Sequence, residues 1–199
     1  EQTRTAALLE SATRDAIPLA LDIYARVSRE RVRDEWMKTM KAREPSRAFE
    51  VMRTTGILGA TCPVLLEQVD CAQNRWHAYD VWTHTLKCLD ACPPRPVLRM
   101  AALLHDLGKP RTRAWSEKTN DHTFYHHERM GADLAADWLR EYRYSNDDSA
   151  RIVALIRHHL VCYDTTWTDA AVRRFIRRVG WDLWPDLLEL SRADAIAKG

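Results

Sequence analysis

Leu98-Arg99-Met100-Ala101-Ala102-Leu103-Leu104-His105-Asp106-Leu107-Gly108-Lys109-Pro110 is the stretch that decides the reading of this chain. Pro96 opens it at a position suited to a first helical turn, and Gly108 with Pro110 ends it. A helix in a water-soluble protein buries positions i, i+3, i+4 and i+7. Here that stripe is Leu98, Ala101, Ala102 and His105, so an imidazole sits where an apolar residue is expected. Asp106 follows at the helix end, free to swing toward the same side.

The same pattern recurs on four other helical segments. Val81, His84 and Cys88 form one stripe, and His127, Met130, Gly131 and Leu134 a second. Ile152, Leu155, Ile156 and His159 form a third, and Leu187, Leu190, Asp194 and Ala197 a fourth. A single inward His is usually a core residue with a backbone partner, and a single inward Asp a cap or ion-pair member. An uncompensated buried carboxylate costs several kcal/mol. Convergence on a shared cation accounts for all five segments together. Imidazoles and carboxylates without thiolates suit one or two divalent ions of Mg, Mn, Fe, Co, Ni or Zn. Asp106 can bridge two. The stripe also separates the doublets: His127 and His159 lie on it, whereas His126 falls toward Arg129 and Asp133, and His158 toward Arg151 and Ala154. His77 and His122 fall in loops and are read as lying outside the site.

Around this centre the chain reads as all-α. Apolar residues make up 46% and charged residues 29% of its 199 residues, a balance that excludes a disordered chain. The net charge of +2 is too small to imply nucleic acid by bulk charge alone. No apolar run nears the ~20 residues of a membrane helix, and Arg4, Glu10, Arg14 and Asp15 break any leader-like stretch. Five cysteines without a CxxC pair argue against a disulfide framework and for a reducing cytoplasm. Ser28 and Thr168 are expected helix caps, the segment Ser145–Asp148 is expected to cap another helix, and Asp80 precedes a helical stretch to about Cys92. Residues 111–124 read as a loop, and strand signals are nearly absent. Residues 1–74 hold no His and are expected to form a helical extension; 75–199 are expected to carry the site.

Leu103-Leu104-His105-Asp106-Leu107-Gly108-Lys109, with His84 upstream and Asp194 downstream, resembles the HD superfamily of metal-dependent phosphohydrolases. The segments Asp80–Leu86, Phe124–Glu128 with Gly131-Ala132, Ile156–His159 and Arg192–Ala195 look like the HD region of bacterial CCA-adding enzymes and poly(A) polymerases. Ser28–Glu35, Pro45–Ala48 and Thr55–Leu58 resemble the helical region before it. The resemblance implies an HD-domain helical bundle with an N-terminal helical extension. It also implies one ion held by His84, His105, Asp106 and Asp194, and a second completed by His127 and His159 with Asp106 shared. Two departures stand out. The family usually has Gly where this chain has His126, and the nucleotidyltransferase head, with its Gly-Gly and Asp-x-Asp signatures, is absent from these 199 residues. Without that head, nucleotide addition by this chain alone is not expected.

The implied chemistry is hydrolysis of phosphomonoesters or phosphodiesters, on nucleotides or RNA ends such as 2′,3′-cyclic or 2′-phosphates, by metal-activated hydroxide. Asp106 and Lys109 are the expected catalytic residues. Lys109 is a candidate phosphate clamp, with Arg129 and Arg157 as weaker ones. Arg173, Arg174, Arg177 and Arg178 share a face opposite Val172, Phe175, Ile176 and Val179 and could grip RNA phosphates. Two alternatives accompany this expectation. One is a non-catalytic tRNA- or RNA-binding module, and the other an HD-type di-iron oxygenase. The tryptophans read as packing residues, except Trp115 and Trp167 in loops.

Overall fold

A computed structural model describes residues 11–160 and 167–199. The first ten residues of the expected 1–74 extension, with Arg4 and Glu10, lie outside the described residues. Short helices α1 (Ser11–Ala16) and α2 (Leu21–Tyr24) lead into α3 (Arg29–Thr39), where the Ser28 hydroxyl accepts from the Arg31 amide. Pro45 precedes α4 (Ser46–Thr54). Gly56, at φ 85°, turns the chain into α5 (Ile57–Thr61), and Pro63 opens α6 (Pro63–Leu66).

The second part begins at Asp80, whose carboxylate accepts from the Thr83 amide at 2.9 Å and caps α7 (Val81–Ala91). Helix α8 (Pro96–Leu104) follows, and every residue from Leu98 to Leu104 is buried. A helix covered on all sides belongs at the centre of a bundle. α7 and α13 (Trp184–Ile196) pack on α8, and so does α11 (Asn146–His158); α10 (His127–Glu141) lies along α11. Ser145 and Thr168 cap α11 and α12 (Asp169–Val179) through the Asp148 and Ala171 amides.

The all-α expectation describes this body, with one exception. Residues 111–124 are not a plain loop. They include the end of α9 (Lys109–Thr112) and an antiparallel ribbon of β1 (Ala114–Ser116) and β2 (Asp121–Thr123). Trp115 sits opposite His122 in its register. Strands of three residues are too short for alternation to register in a sequence pattern.

The N-terminal helices pack directly on the bundle. Trp36 of α3 lies 5.0 Å from the Phe49 ring and 4.7 Å from Trp138 of α10. The Trp138 indole N–H donates to the Thr61 carbonyl at 2.9 Å. Arg99, 3% exposed, sends its guanidinium from α8 to the carbonyls of Cys92, Met40 and Ala42. A buried guanidinium is tolerated because those carbonyls absorb its donors. At the opposite end, buried Asp186 of α13 is held by Arg151 at 2.6 Å and by Arg95. That clamp anchors the helix that carries Asp194. Two further tryptophans depart from the packing expectation: Trp76 and Trp181 are exposed, whereas Trp167 packs on Phe175.

Candidate metal centre

Five elements meet at one buried point. His84 comes from α7, His105 and Asp106 from the end of α8, His127 from the start of α10, His159 from the end of α11 and Asp194 from α13. His84, His105 and Asp106 are fully buried, and His127 and His159 nearly so.

The backbone fixes the state of the imidazoles. The Nδ1 of His105 lies 2.7 Å from the Ala102 carbonyl, that of His127 2.6 Å from Phe124, and that of His159 2.7 Å from Ile156. The His84 Nδ1 lies 3.2 Å from the Ala197 carbonyl. A carbonyl only accepts, so each Nδ1 carries the proton. In the neutral ring Nε2 is then a bare lone pair. The Nε2 atoms of His127 and His159 face each other at 3.3 Å. Burial holds both rings below the usual imidazole pKa, His159 down to about 3, so both are neutral at pH 7. Two lone pairs at that distance repel, and a cation between them removes the repulsion.

The carboxylates complete the arrangement. Asp106 Oδ2 lies 3.1 Å from His105 Nε2 and 3.5 Å from His84 Nε2. Its Oδ1 lies 3.5 Å from His127 Nε2 and 3.8 Å from His159 Nε2. One carboxylate thus spans both sides. Asp194 Oδ1 is 2.9 Å from His84 Nε2 and 3.8 Å from His105 Nε2. The donor atoms of His84, His105 and Asp194 lie within 4.8 Å of one another, and so do those of Asp106, His127 and His159. The Nε2 atoms of His84 and His105 and both Asp106 oxygens are buried without a hydrogen bond of ordinary geometry. Imidazole nitrogens and carboxylate oxygens gathered this closely fit a divalent cation coordinated by N and O atoms.

The electrostatics agree. Burial lowers the His105 pKa, and the carboxylates of Asp106 and Asp194 more than offset it, so it stands above its usual value. Burial opposes charge on Asp106, yet His105 and Lys109 hold its carboxyl well below the ordinary range. Asp194 is likewise lowered against burial, by His84 and His105. The pocket rewards positive charge at its middle.

The two sides meet through glycine. A Cβ on Gly108 would lie 2.2 Å from the His127 carbonyl oxygen and 2.7 Å from the Gly131 amide nitrogen. Only a residue without a side chain lets the turn after His105-Asp106 touch the first turn of α10.

Lys109 is neither solvated nor free to clamp a substrate. It is 6% exposed, its ammonium is 2.7 Å from Asp106 Oδ2, and it donates to Gln73 Oε1 at 2.6 Å. The Gln73 amide in turn donates to the Tyr79 carbonyl. His77, set aside on sequence grounds, lies edge-on against His84 at 5.2 Å and is half-buried. Burial and the Lys109 charge lower its pKa to about 4. Gln73 and His77 belong to a segment without periodicity, so no sequence signal pointed to them. His122, on β2, pairs with Arg113 instead.

The outer members of the doublets lie elsewhere. His126 is exposed and caps α10 at φ 65°, the left-handed region where Gly is least strained. His158 is partly exposed, and burial with the nearby Arg178 and Arg157 charges lowers its pKa. Arg129 and Arg157 are exposed; Arg157 holds Asp133 at 2.9 Å, and neither forms an ion pair with the donor cluster among the described residues. Arg173, Arg174, Arg177 and Arg178 are all exposed on α12.

Residues 77–198 match the family described as HD domain, and residues 9–68 the one described as probable RNA and SrmB-binding site of polymerase A. The chain is similar to the A-adding tRNA nucleotidyltransferase of Deinococcus radiodurans, at 36% identity over 83% of this chain and 38% of the relative. The CC-adding tRNA nucleotidyltransferase of Thermus thermophilus is 32% identical over 85% of this chain and 40% of its own length. A bifunctional uridylyltransferase/uridylyl-removing enzyme of Streptomyces coelicolor is 30% identical over 77% of this chain and 19% of its own. The chain therefore spans about two fifths of the first two relatives.

Proposed function

The chain belongs to the HD-domain family, and from that premise we propose a metal-dependent phosphohydrolase acting on nucleotide or RNA-end phosphoesters, 2′,3′-cyclic and 2′-phosphates among them. In this reading residues 75–199 are the hydrolytic domain and 1–74 a helical extension that orients RNA. The observation that carries it is the set of four Nδ1-to-carbonyl bonds, which aim four Nε2 atoms at two carboxylates. His84, His105 and Asp194 would hold one ion, His127 and His159 a second, and Asp106 would touch both. A divalent ion, when bound, brings water to a pKa near ~7 and offsets phosphoryl charge.

The chain's own residues do the rest. The backbone carbonyls keep the proton of each imidazole on Nδ1, so the neutral rings turn Nε2 toward the centre. Lys109 keeps Asp106 ionised and fixes its orientation. Gln73 holds the Lys109 ammonium from the other side. Surrounding burial excludes bulk water, which strengthens each of these interactions.

A second reading is favoured by the match of residues 9–68 and by relatives named for tRNA. Here the chain is a tRNA-binding module of a CCA-adding-type enzyme and its centre is structural. The uridylyl-removing relative and the complete donor set favour the hydrolase. No helix among the described residues is long and apolar enough to cross a membrane. A cytoplasmic location is proposed from the relatives named for tRNA. The test is hydrolysis of 2′,3′-cyclic nucleotides by protein loaded with each candidate metal. The hydrolase reading expects turnover that stops with a chelator and is absent in Asp106→Ala. Tight metal binding without turnover on any phosphoester would favour the module.

A further inference from the structure

Outside the donor cluster, α10, α11 and α12 enclose a recess of about 360 Å³. Glu128 and Arg129 come from the first turn of α10, Arg157, His158 and Leu160 from the end of α11, and Phe175 and Arg178 from one side of α12. Three arginines from three helices therefore line the recess, against one lining carboxylate. Asp133 takes a single nitrogen of Arg157, leaving its other donors free to serve a ligand. Arg129 lies 3.7 Å from Glu128, beyond hydrogen-bond length, and its side chain is 72% exposed. The Arg178 guanidinium stands 5.2 Å from the Phe175 ring. Phe175 and Leu160 add an apolar floor.

We propose that this recess binds the phosphodiester backbone of an RNA strand. The chemistry selects a polyanion with a flat apolar component. Guanidinium forks match phosphate oxygens, and an apolar floor beside them accepts the face of a base or sugar. Arg173, Arg174 and Arg177 continue the positive surface along α12, so a strand leaving the recess meets further cations. Position supports the assignment too. Arg129 follows His127 by two residues, and Arg157 precedes His159 by two. The helices that carry inner ligands to the donor cluster thus carry recess residues on their outer sides. A strand seated in the recess would have its backbone held beside the proposed hydrolytic centre. The choice of RNA rests on the reading above, whereas the recess itself does not.

The test is the affinity of the whole chain for a fluorescent single-stranded RNA oligonucleotide, measured with EDTA present across a salt series. Chelation separates the outcomes: binding is read with hydrolysis silent, so failure here leaves the hydrolase reading intact, and the converse holds. The triple variant Arg129→Ala/Arg157→Ala/Arg178→Ala should weaken binding ~10-fold or more at moderate salt. It should also flatten the log–log salt dependence by about 2, since each single-strand phosphate contributes about 0.7. The Lys triple variant should restore most of the slope, which loss of fold would not allow. Unchanged affinity and slope in the Ala triple variant would overturn the proposal. So would an equal loss in the Lys variant, or a slope that moves only with Arg173→Ala/Arg174→Ala.

Discussion

Helices α10 and α11 each have two sides that behave as different materials. On the inner side His127 and His159 are nearly buried, neutral and locked by carbonyls. On the outer side Arg129 and Arg157 are exposed and His158 is only partly covered. A step of one or two residues around a helix exchanges a dry, low-dielectric setting for water. Charges that cost several kcal/mol to leave unpaired inside cost little outside. The inner side can therefore concentrate polar atoms only around a compensating charge, whereas the outer side can collect like charges and wait for a polyanion.

The sharpest way to break this contrast is at its inner extreme. Asp106→Ala removes the one carboxylate facing both donor groups. Metal content should fall, and phosphoester hydrolysis should drop by more than about 100-fold, beyond the 10–100-fold usual for residues behind the ligands. Lys109→Ala should cost about 10–100-fold in kcat/KM while metal is retained, because the residue acts through Asp106. The measurement that matters is the pairing of activity with metal stoichiometry; a loss of both together would make Lys109 a folding residue instead.

Gly108→Ala probes the hinge between the two sides of the centre. A methyl at 2.2 Å from a backbone oxygen cannot be accommodated by a rotamer change. Denaturant unfolding should show a loss of about 1–3 kcal/mol or more. His126→Gly tests the outer side by relieving strain instead. The left-handed backbone there should make Gly stabilising by about 0.5–1 kcal/mol, with metal content unchanged, whereas His127→Ala should lose metal. The smallest effect is farthest from the cluster. The Asp121 carboxyl accepts from the Arg75 amide and guanidinium, which lower its pKa to about 2 from 3.8. A depressed carboxylate gives stability that is fully present above pH ~4 and lost as pH falls toward ~2. Amide exchange at Arg75 should accelerate across that window, while a flat profile would show that the pair does not hold the loop to the ribbon.

The part of this contrast that is periodic can be read from residues alone. His105, His84, His159 and Asp194 sit on stripes whose spacing is that of a helix, and their helices turn those stripes inward. Lys109 could not be read so, because its burial depends on Gln73 folding back from residues far upstream. His77 had the right chemistry and no periodicity to place it. The ribbon at 114–123 was too short to leave a pattern, and the exposure of Trp76 and Trp181 is a property of where their loops end. The recess is a matter of packing: Arg129, Arg157 and Arg178 are legible one by one as phosphate or RNA candidates, and only the fold brings the three together.

The glycine contact bears on how the centre meets ions of different size. Two backbones that touch have no side-chain torsions with which to adjust. The spacing between the His105-Asp106 turn and the start of α10, which carries His127, is therefore set by backbone contact. A larger ion could widen it only by shifting α10 bodily against α8, and with it the packing of α10 on α11. An ion too large for the present spacing would then strain the packing of the whole bundle and not the side-chain torsions of one ligand.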